Sequence, residues 1–305
     1  MLVVFLSLVA SLIWATTNHI DKYLISKIIK NGNFKGLLIF SSFISGMLIL
    51  PVFLIITNFN IQINIISLLY TIGVVITSIG AIILYYIALE KNDTSIVIAV
   101  YQTIPVLIFI LGLIFLGENL SLTQIIGGFV ILLSSVLIMF DFEKLKWQND
   151  KKIALLLMLG SSLLYAFQDL FFKMATISTD FNTVNVWYNI FLLISGLILL
   201  LSRNYRNSFI DLIKDNGKKA FVLNVSNEII YQIGSIAGHF AMTLAPIALI
   251  SILSTGMQPF FVITISFLGI MLLPKTFDNE EAKKNNIQKL ICIISSIIGL
   301  IIFNL

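Results

Sequence analysis

The most regular feature of this sequence is a series of long apolar runs in which apolar and polar positions do not alternate. About 20 apolar residues in succession are enough for an α-helix to cross the hydrocarbon core of a bilayer. Because backbone groups in lipid must be satisfied internally, continuous runs of this length favour helices. The pattern predicts about ten membrane-spanning helices, at 2–21, 36–57, 64–89, 94–116, 122–141, 152–178, 183–201, 220–244, 247–273 and 287–304.

The composition agrees with an all-α integral membrane protein. The chain of 305 residues is 58% hydrophobic and only 11% charged, whereas a soluble domain has about 45–50% apolar and about 25% charged residues. Cytosolic enzymes, DNA-binding domains and disulfide-rich secreted modules are therefore excluded. The single cysteine, Cys292, lies in an apolar run and indicates neither a disulfide framework nor a metal cluster.

Basic residues follow the odd-numbered spans and are missing between the others. Cationic loops stay on the cytoplasmic side of a membrane, so we expect the odd-numbered loops to be cytoplasmic, both termini to be outside, and the protein to lie in the plasma (inner) membrane. The residues concerned are Lys22, Lys27, Lys30, Lys35, Lys91, Lys144, Lys146, Lys151, Lys152, Arg203, Arg206, Lys214, Lys218, Lys219, Lys275, Lys283 and Lys284.

The two halves of the chain resemble each other. Residues 11–15 (SLIWA) match residues 162–166 (SLLYA) at an offset of 151 (162 − 11 = 151), and Pro105 matches Pro259 at an offset of 154 (259 − 105 = 154). The matches occur in the same order along both halves, which indicates an internal repeat.

This repeat predicts two five-helix halves, at 1–147 and 148–305. Five is an odd number of spans, so the second half enters the bilayer from the opposite side to the first. Inverted repeats of this kind are typical of secondary carriers, whose substrate site lies near the middle of the membrane between the halves.

Several short motifs resemble those of the EamA-type repeat, which defines carriers of the drug/metabolite transporter superfamily. The resemblance implies ten helices in two inverted halves and transport of small metabolites such as amino acids or nucleoside-like compounds. The second half departs from the pattern, with Leu273-Pro274-Lys275 and a polar insertion at 276–286 in place of the Leu-Gly-Glu ending. The motif residues are Trp14-Ala15-Thr16-Thr17-Asn18, Tyr86-Ile87-Ala88-Leu89, Ala99, Pro105, Phe115-Leu116-Gly117-Glu118, Leu120, Gln124 and Gly127.

A polar stripe on the eighth span holds the leading candidate for a functional residue. Glu228 lies about 13 Å from Lys219 along a helix, at 1.5 Å per residue, which is near the middle of a hydrocarbon core about 30 Å thick. An ionisable group at that depth is costly and usually functional. Glu228 is expected to bind a substrate amine or a proton, or else to hold two helices together by a hydrogen bond. Asn224, Asn227, Tyr231, Gln232 and Ser235 accompany it.

Asp169, next to Gln168 on the sixth span, has two interpretations. Lys173 follows four residues later, so a local ion pair would make Asp169 structural; otherwise it belongs to the site. Its counterpart in the first half is Asn18, beside His19 and close to Asp21. His19 and His239 are expected to be solvated or hydrogen-bonded near the membrane boundaries, although either can titrate near neutral pH.

Aromatic residues and interrupted helices supply the remaining candidates. Trp14 and Tyr165 occupy equivalent positions in the two halves, where they either fill space or stack on a substrate. Pro105 and Pro259 each remove a backbone N–H and leave a carbonyl four residues earlier without its partner, so they are either hinges or static kinks. Tyr101, Gln102 and Gln258 flank these breaks.

Together these features predict a secondary transporter that moves a small polar metabolite, such as an amino acid or related amine, by alternating access. No hydrolase elbow, zinc-binding helix or phosphate-binding loop is present in the sequence, so no enzymatic activity, metal or cofactor is expected. The expected partners are a small-molecule substrate and the lipid bilayer, and no nucleic acid. An intramembrane enzyme that uses a buried Glu as acid or base, or a receptor or scaffold, remains the alternative.

Overall fold

A computed structural model describes residues 1–28, 34–91, 100–139, 149–272 and 286–303, and these residues are predominantly α-helical. Several sequence features lie outside the described residues: Lys30, Ala99, Lys144, Lys146, the boundary at 147/148, and everything from Leu273 to Lys284. The α-helices are α1 (Leu2–Tyr23), α2 (Lys35–Ile39), α3 (Ser45–Ile56), α4 (Ile65–Lys91), α5 (Thr103–Leu111), α6 (Leu122–Met139), α7 (Asn149–Ser178), α8 (Phe181–Leu201), α9 (Arg203–Leu244), α10 (Ile247–Ser254), α11 (Gln258–Leu272) and α12 (Asn286–Phe303).

Length and composition allow six of the described segments to cross a membrane, and three shorter apolar helices accompany them. The six are Leu2–Ser26, Lys35–Ile56, Ile65–Leu89, Ile153–Ser178, Phe181–Leu201 and Ile247–Gly269; the shorter helices are Thr103–Leu116, Leu122–Leu137 and Ile291–Phe303. The prediction of an all-α membrane protein is thereby confirmed.

The surface of the bundle is apolar, and its core of apolar side chains also contains many buried polar ones. Large apolar side chains on the outside are freely exposed, such as Ile65 at 72% and Phe129 at 66%, whereas Glu228 is 7% exposed and Gln232 only 3%. An apolar surface combined with buried polar side chains suits a bundle surrounded by lipid.

One segment predicted as a loop is helical. Residues 203–216 of the basic stretch 202–219 form the first part of α9. The helix is interrupted at Gly217, where φ is +67°, and then continues into its buried part. Glycine tolerates this left-handed conformation because it has no Cβ, so the chain changes direction there. Ser208 and Leu212 of this first part are buried while Asp211 is exposed, so it is an amphipathic helix, typical of a membrane surface.

Helix contacts link the first and second halves of the sequence throughout. α4 packs along α7, α1 along α9, α3 against α8, and α6 against α12. Small residues permit the closest approaches: a Cβ added to Gly127 of α6 would lie 2.6 Å from the Gly299 carbonyl oxygen of α12, and one added to Gly196 of α8 would lie 2.5 Å from the Phe43 nitrogen.

Three π-helical turns and two interruptions make these helices irregular. The π-helical turns are Leu24–Ile28, Phe40–Ile44 and Gly112–Leu116. Gln102 lies in a turn just before α5, and residues 255–257 form a turn between α10 and α11. Irregular backbone of this kind inside a bundle is tolerated where it is buried in protein or lines a cavity.

Candidate functional site

A cavity of about 110 Å³ lies between the two halves. Both halves contribute to its wall, from α1, the Phe40–Ile44 turn, α4, α7, α8, α9 and the residues around the two interruptions. Ten of the predicted site residues line it: Trp14, Asn18, Tyr101, Tyr165, Gln168, Asp169, Glu228, Tyr231, Gln232 and Gln258. Four others, Asn224, Gln102, Pro105 and Pro259, do not.

Glu228 is held in the wall by a hydroxyl from the first half. The Ser41 hydroxyl donates to Glu228 Oε1 at 2.8 Å, and one helical turn further along, Gln232 Nε2 donates to the Ser45 hydroxyl at 2.6 Å. The π-helical turn Phe40–Ile44 separates α2 from α3 at this point, and such turns are frequent at functional sites. No Lys or Arg of the described residues lies within 4 Å of Glu228.

A second carboxylate, Asp21 of α1, lies close to Glu228. Asn227 Nδ2 donates to Asp21 Oδ1 at 2.8 Å, and the Tyr85 hydroxyl approaches Asp21 Oδ2 at 3.5 Å. Asn227 precedes Glu228 on α9, and both acids, Asp21 and Glu228, line the same cavity. Neighbouring carboxylates in a desolvated site favour a shared proton or a bound cation.

The expected ion pair between Asp169 and Lys173 is wrong. Asp169 lines the cavity, and Asp169 Oδ1 lies 4.0 Å from Nε2 of His239. The His239 ring stacks on Phe172, with 4.0 Å between ring centroids. His239 is thus a buried cavity residue, whereas His19 contacts the Val262 carbonyl oxygen at 3.0 Å as a hydrogen-bonded histidine.

Lys173 instead takes part in a cluster one helical turn beyond Asp169 on α7. Its Nζ lies 3.9 Å from Glu118 Oε1 and donates to the carbonyls of Met242 and Ala245. Glu118 Oε2 accepts the Ile247 N–H at 2.8 Å. We call Glu118, Lys173 and their backbone partners the clamp, because these contacts join the connection after α5 to α7, α9 and α10.

Glu118 lies in the connection after α5, where Gly117 adopts a φ of +62° and turns the chain back. Burial raises the pKa of Glu118, although the Ile247 N–H and the Lys173 ammonium oppose that change. The Leu-Gly-Glu motif of the first half thus ends in a carboxylate that contacts the second half.

Aromatic rings form much of the cavity wall. Tyr101 stacks on Tyr85 at 5.6 Å between centroids and contacts Tyr165 edge-on at 5.7 Å. Tyr85 also lies beside Tyr86, at 5.4 Å. Trp14 faces the cavity from α1, with Tyr188 and Tyr231 on other sides.

Trp14 fits against α9 because two glycines leave space for its ring. A Cβ added to Gly238 would be 3.2 Å from Trp14 Cη2, and one added to Gly234 would be 3.1 Å from Trp14 Nε1. The indole N–H has no hydrogen-bond partner among the described residues. Asn18 Nδ2, Gln168 Oε1 and Asn227 Oδ1 share this property, and their side chains also line the cavity. Buried polar atoms are nearly always paired, so these four are available to a bound molecule.

The two interruptions, whose flanking residues line the cavity, also contact each other through hydrogen bonds. Gln102 Nε2 donates to the Thr255 carbonyl at 3.2 Å, which is the carbonyl that Pro259 leaves without its helical partner. The Ser135 hydroxyl donates to the next carbonyl, that of Gly256. Gln102 is therefore a structural partner of the second break. Pro105 and Pro259 lie in the first turns of α5 and α11, just after the non-helical residues 102 and 255–257.

Asn224 has a local role. Its Nδ2 donates to the Ala220 carbonyl one turn earlier on α9, at 2.8 Å. Asn224 thus bonds within its own helix, which fits its position outside the cavity wall.

Sequence-based reasoning underestimates Asp21, Ser41, Asn227, Tyr188 and His239. Asp21 is next to Lys22, so the sequence places it at the cytoplasmic edge. Ser41 stands in an apolar run, with no charge or motif to distinguish it. A signal is available for Asn227, which neighbours Glu228 and lies in the polar stripe.

The fold and the cavity define a multi-pass helical membrane protein with a polar interior site. Residues 1–140 match the model of the EamA-like transporter family, which confirms the resemblance predicted from the motifs and is consistent with a member of the drug/metabolite transporter superfamily. The matching model describes membrane transporters, and it covers the first 140 of the 305 residues.

Solved structures share this fold. A chain described as "Crystal structure of protein" superimposes with a TM-score of 0.69 at 12% sequence identity, over 98% of this chain and 94% of that chain. In all, 28 chains of solved structures match. No curated protein sequence matches significantly.

Proposed function

We propose that this protein is a secondary carrier that moves a small amine-bearing metabolite, such as an amino acid or a related amine, across the plasma membrane by alternating access. The observation that carries the proposal is the cavity between the halves, whose wall holds the buried Glu228 and the half-buried Asp21 and, among the described residues, no Lys or Arg. The energy comes from the substrate gradient, from exchange, or from protons bound at Glu228.

The architecture proposed for this carrier is ten helices in two inverted halves, 1–147 and 148–305. A two-fold axis in the membrane plane would make α1 equivalent to α7 and α4 equivalent to α9. It would then convert the contact between α4 and α7 into the contact between α9 and α1, and both contacts are extensive. This reciprocal pairing supports the inverted repeat.

The directions of the remaining helix pairs also support the inverted repeat, because helices related by such an axis must be antiparallel. Along α3 and α8, Gly46 lies near Asn189, while Phe43 lies near Gly196 further along.

The last helix of each half shows the same relation. Gly127 of α6 lies near Phe303 of α12, whereas the Leu137 carbonyl of α6 accepts a hydrogen bond from Gln288 of α12. The helices are therefore antiparallel in both pairs, α3 with α8 and α6 with α12.

In this proposal the loop charges orient the carrier, with the odd-numbered loops in the cytoplasm and both termini outside. Trp14 and Tyr165 contact the apolar part of the substrate, and Glu228 and Asp21 bind its amine. The breaks at Pro105 and Pro259 lie on the path between the halves and serve as hinges.

Counterflow in proteoliposomes tests the function. Purified protein is reconstituted with a panel of unlabelled amines and amino acids inside, and accumulation of the labelled compound is measured. We expect transient accumulation of an amine-bearing compound, and we expect Glu228→Gln to reduce the initial rate at least about tenfold, since a buried charge partner typically contributes about 2 kcal/mol or more.

The matched control is Asp211→Asn, which removes a carboxylate on the exposed face of the first part of α9 and should leave the rate unchanged. Full uptake by Glu228→Gln would contradict the role of this residue. A chemically altered compound in the vesicles would favour the intramembrane enzyme, and absence of counterflow across the panel would contradict the carrier.

A further inference from the structure

The charge balance of the cavity is one-sided. Glu228, Asp21 and Asp169 line it, and no Lys or Arg of the described residues does. Lys173, four residues after Asp169 on α7, contacts Glu118 and two backbone carbonyls instead. His239 is the basic side chain in the described wall, and it lies against Asp169. A carboxylate brought into this cavity would meet like charges.

The backbone at the second interruption does not provide an anion site either. Broken helices often bind a substrate carboxylate through the free N–H groups at the start of the second segment. Here the Gln258 N–H donates to the Thr255 carbonyl and the Phe260 N–H donates to the Met257 carbonyl, each at 3.2 Å, and residue 259 is proline. These N–H groups are therefore engaged within the turn.

The wall has the features that recognise an organic cation. Two unpartnered acceptors, Gln168 Oε1 and Asn227 Oδ1, belong to side chains that are 6% and 5% exposed. They provide hydrogen-bond acceptors for ammonium N–H groups beside the carboxylates. Trp14 and the stacked pair Tyr85 and Tyr101 add ring faces, which attract a cation and cover an apolar body.

From these contacts we infer that the cavity selects a primary or secondary organic ammonium ion with an apolar body and without a carboxylate. The ammonium group lies between Glu228, Asp21 and the free acceptors, and the apolar part lies against Trp14 and the tyrosines. This inference rests on the proposed carrier function, and it narrows that function from amines in general to amines that are not amino acids.

Three probes of matched shape test the inference by binding. Phenethylammonium has the required charge, L-phenylalanine adds a carboxylate to it, and 2-phenylethanol replaces the ammonium by a hydroxyl. Dissociation constants are measured at a fixed pH of about 7 by calorimetry on the purified full-length protein. We expect phenethylammonium to bind at least about tenfold more tightly than either of the others.

Variants of Asp21 and Glu228 test whether these two acids account for the affinity for phenethylammonium. Asp21→Asn and Glu228→Gln should each weaken phenethylammonium binding about tenfold or more, while Asp211→Asn should bind like the wild type. Thermal melting confirms that each variant is folded; if one is not, the ranking of the three probes on the wild type decides the matter.

Equal or tighter binding of L-phenylalanine would overturn the inference and leave the carrier function standing. Absence of phenethylammonium binding to folded protein would also overturn it. If phenethylammonium binds as expected but no compound shows counterflow, then the carrier function fails and the assignment of the site stands.

Discussion

A single hydroxyl controls how Glu228 is presented to the cavity. The Ser41 hydroxyl donates to Glu228 Oε1 at 2.8 Å, and it comes from the other half of the chain. It keeps the carboxylate in place between the helices and satisfies one of its oxygens in a desolvated site, where an unpaired acceptor is costly.

We therefore expect Ser41→Ala to lower the initial rate of counterflow about two- to tenfold, the range that follows from a net hydrogen-bond contribution of about 0.5–1.5 kcal/mol. Ser195→Ala is the matched control, because the Ser195 hydroxyl donates only to the Leu192 carbonyl of its own helix in the described contacts. Equal losses in both variants would mean that the effect is not specific to Glu228.

The residues of the site can be predicted to different degrees, for physical reasons. Glu228 can be identified from the sequence because placing an ionisable side chain in the middle of a membrane span costs free energy, and such residues are usually functional. Ser41 is not, because serine is common in membrane helices and bonds to its own helix; only the packing of the Phe40–Ile44 turn on α9 distinguishes it. The predicted pairing of Asp169 is wrong because spacing along one helix ignores partners from other helices, here Glu118 for Lys173.

At the scale of the helices, the hydrogen bond between Gln102 and the Thr255 carbonyl joins the two interruptions. We call this contact the brace and expect it to contribute to the stability of the folded protein. Gln102 satisfies the Thr255 carbonyl in a buried position. The Thr255 carbonyl also accepts the Gln258 N–H at 3.2 Å. We therefore expect Gln102→Leu to destabilise the protein by about 0.5–1.5 kcal/mol, the net contribution of one hydrogen bond, which should appear as a lowered melting temperature. Gln288→Leu removes a bond to the Leu137 carbonyl at an exposed site and should have a smaller effect. The reverse order would contradict the brace.

The start of α8 depends on Asp180, which lies outside the apolar segments. Its Oδ1 accepts the Thr183 N–H at 3.0 Å. Partial burial opposes ionisation, but hydrogen bonds from Thr183 and from nearby backbone N–H groups outweigh it, so the pKa of Asp180 is lowered.

Because the folded state lowers this pKa, the ionised cap stabilises the protein above the pKa of an unfolded aspartate, about 3.9, and loses its contribution as the pH falls through the lower folded-state value. We expect Asp180→Ala to cost about 0.5–2 kcal/mol at neutral pH. The difference in melting temperature from the wild type should shrink in strong acid. A difference that grows on acidification would contradict this role.

In the proposed orientation, we expect the clamp to close the end of the cavity that faces the outside. Glu118→Gln keeps the Ile247 hydrogen-bond acceptor but removes the charge that faces Lys173, so the variant should expose the cavity to the outside more often. Burial raises the pKa of Glu118, and acidification should therefore open the wild type at a higher pH than an exposed glutamate allows. Accessibility that is equally pH-dependent in Glu118→Gln would exclude Glu118 as its source.

The helices themselves follow closely from the apolar runs, since lipid leaves few alternatives for a continuous apolar segment. The exception is 202–219, where charges indicate a loop. The structure forms an amphipathic helix there, with the Ser208 side chain buried against α2: the Ser208 hydroxyl accepts the Gly36 N–H at 2.8 Å. A contact between positions so far apart in the chain leaves no local sequence signal.

For the whole molecule, the sequence indicates two related halves, but their relative arrangement depends on contacts between distant helices. The offsets of 151 and 154 (162 − 11 and 259 − 105) identify equivalent positions without identifying which helices touch. Packing of α1 on α9 and of α4 on α7 brings Asp21 and Tyr85 of the first half to Asn227 and Tyr165 of the second, and the cavity exists only as a result of that arrangement.

Alternating access is the central claim, and accessibility of one cavity position from the two sides of the membrane tests it most directly. In a Cys292→Ala background, Ser235→Cys places a single thiol in the cavity wall. Its reaction with a membrane-impermeant cationic thiol reagent is measured in intact cells and in inside-out vesicles. We expect reaction from both sides, slowed in each case by phenethylammonium. Reaction from one side only, under every condition and in Glu118→Gln as well, would contradict the proposed mechanism.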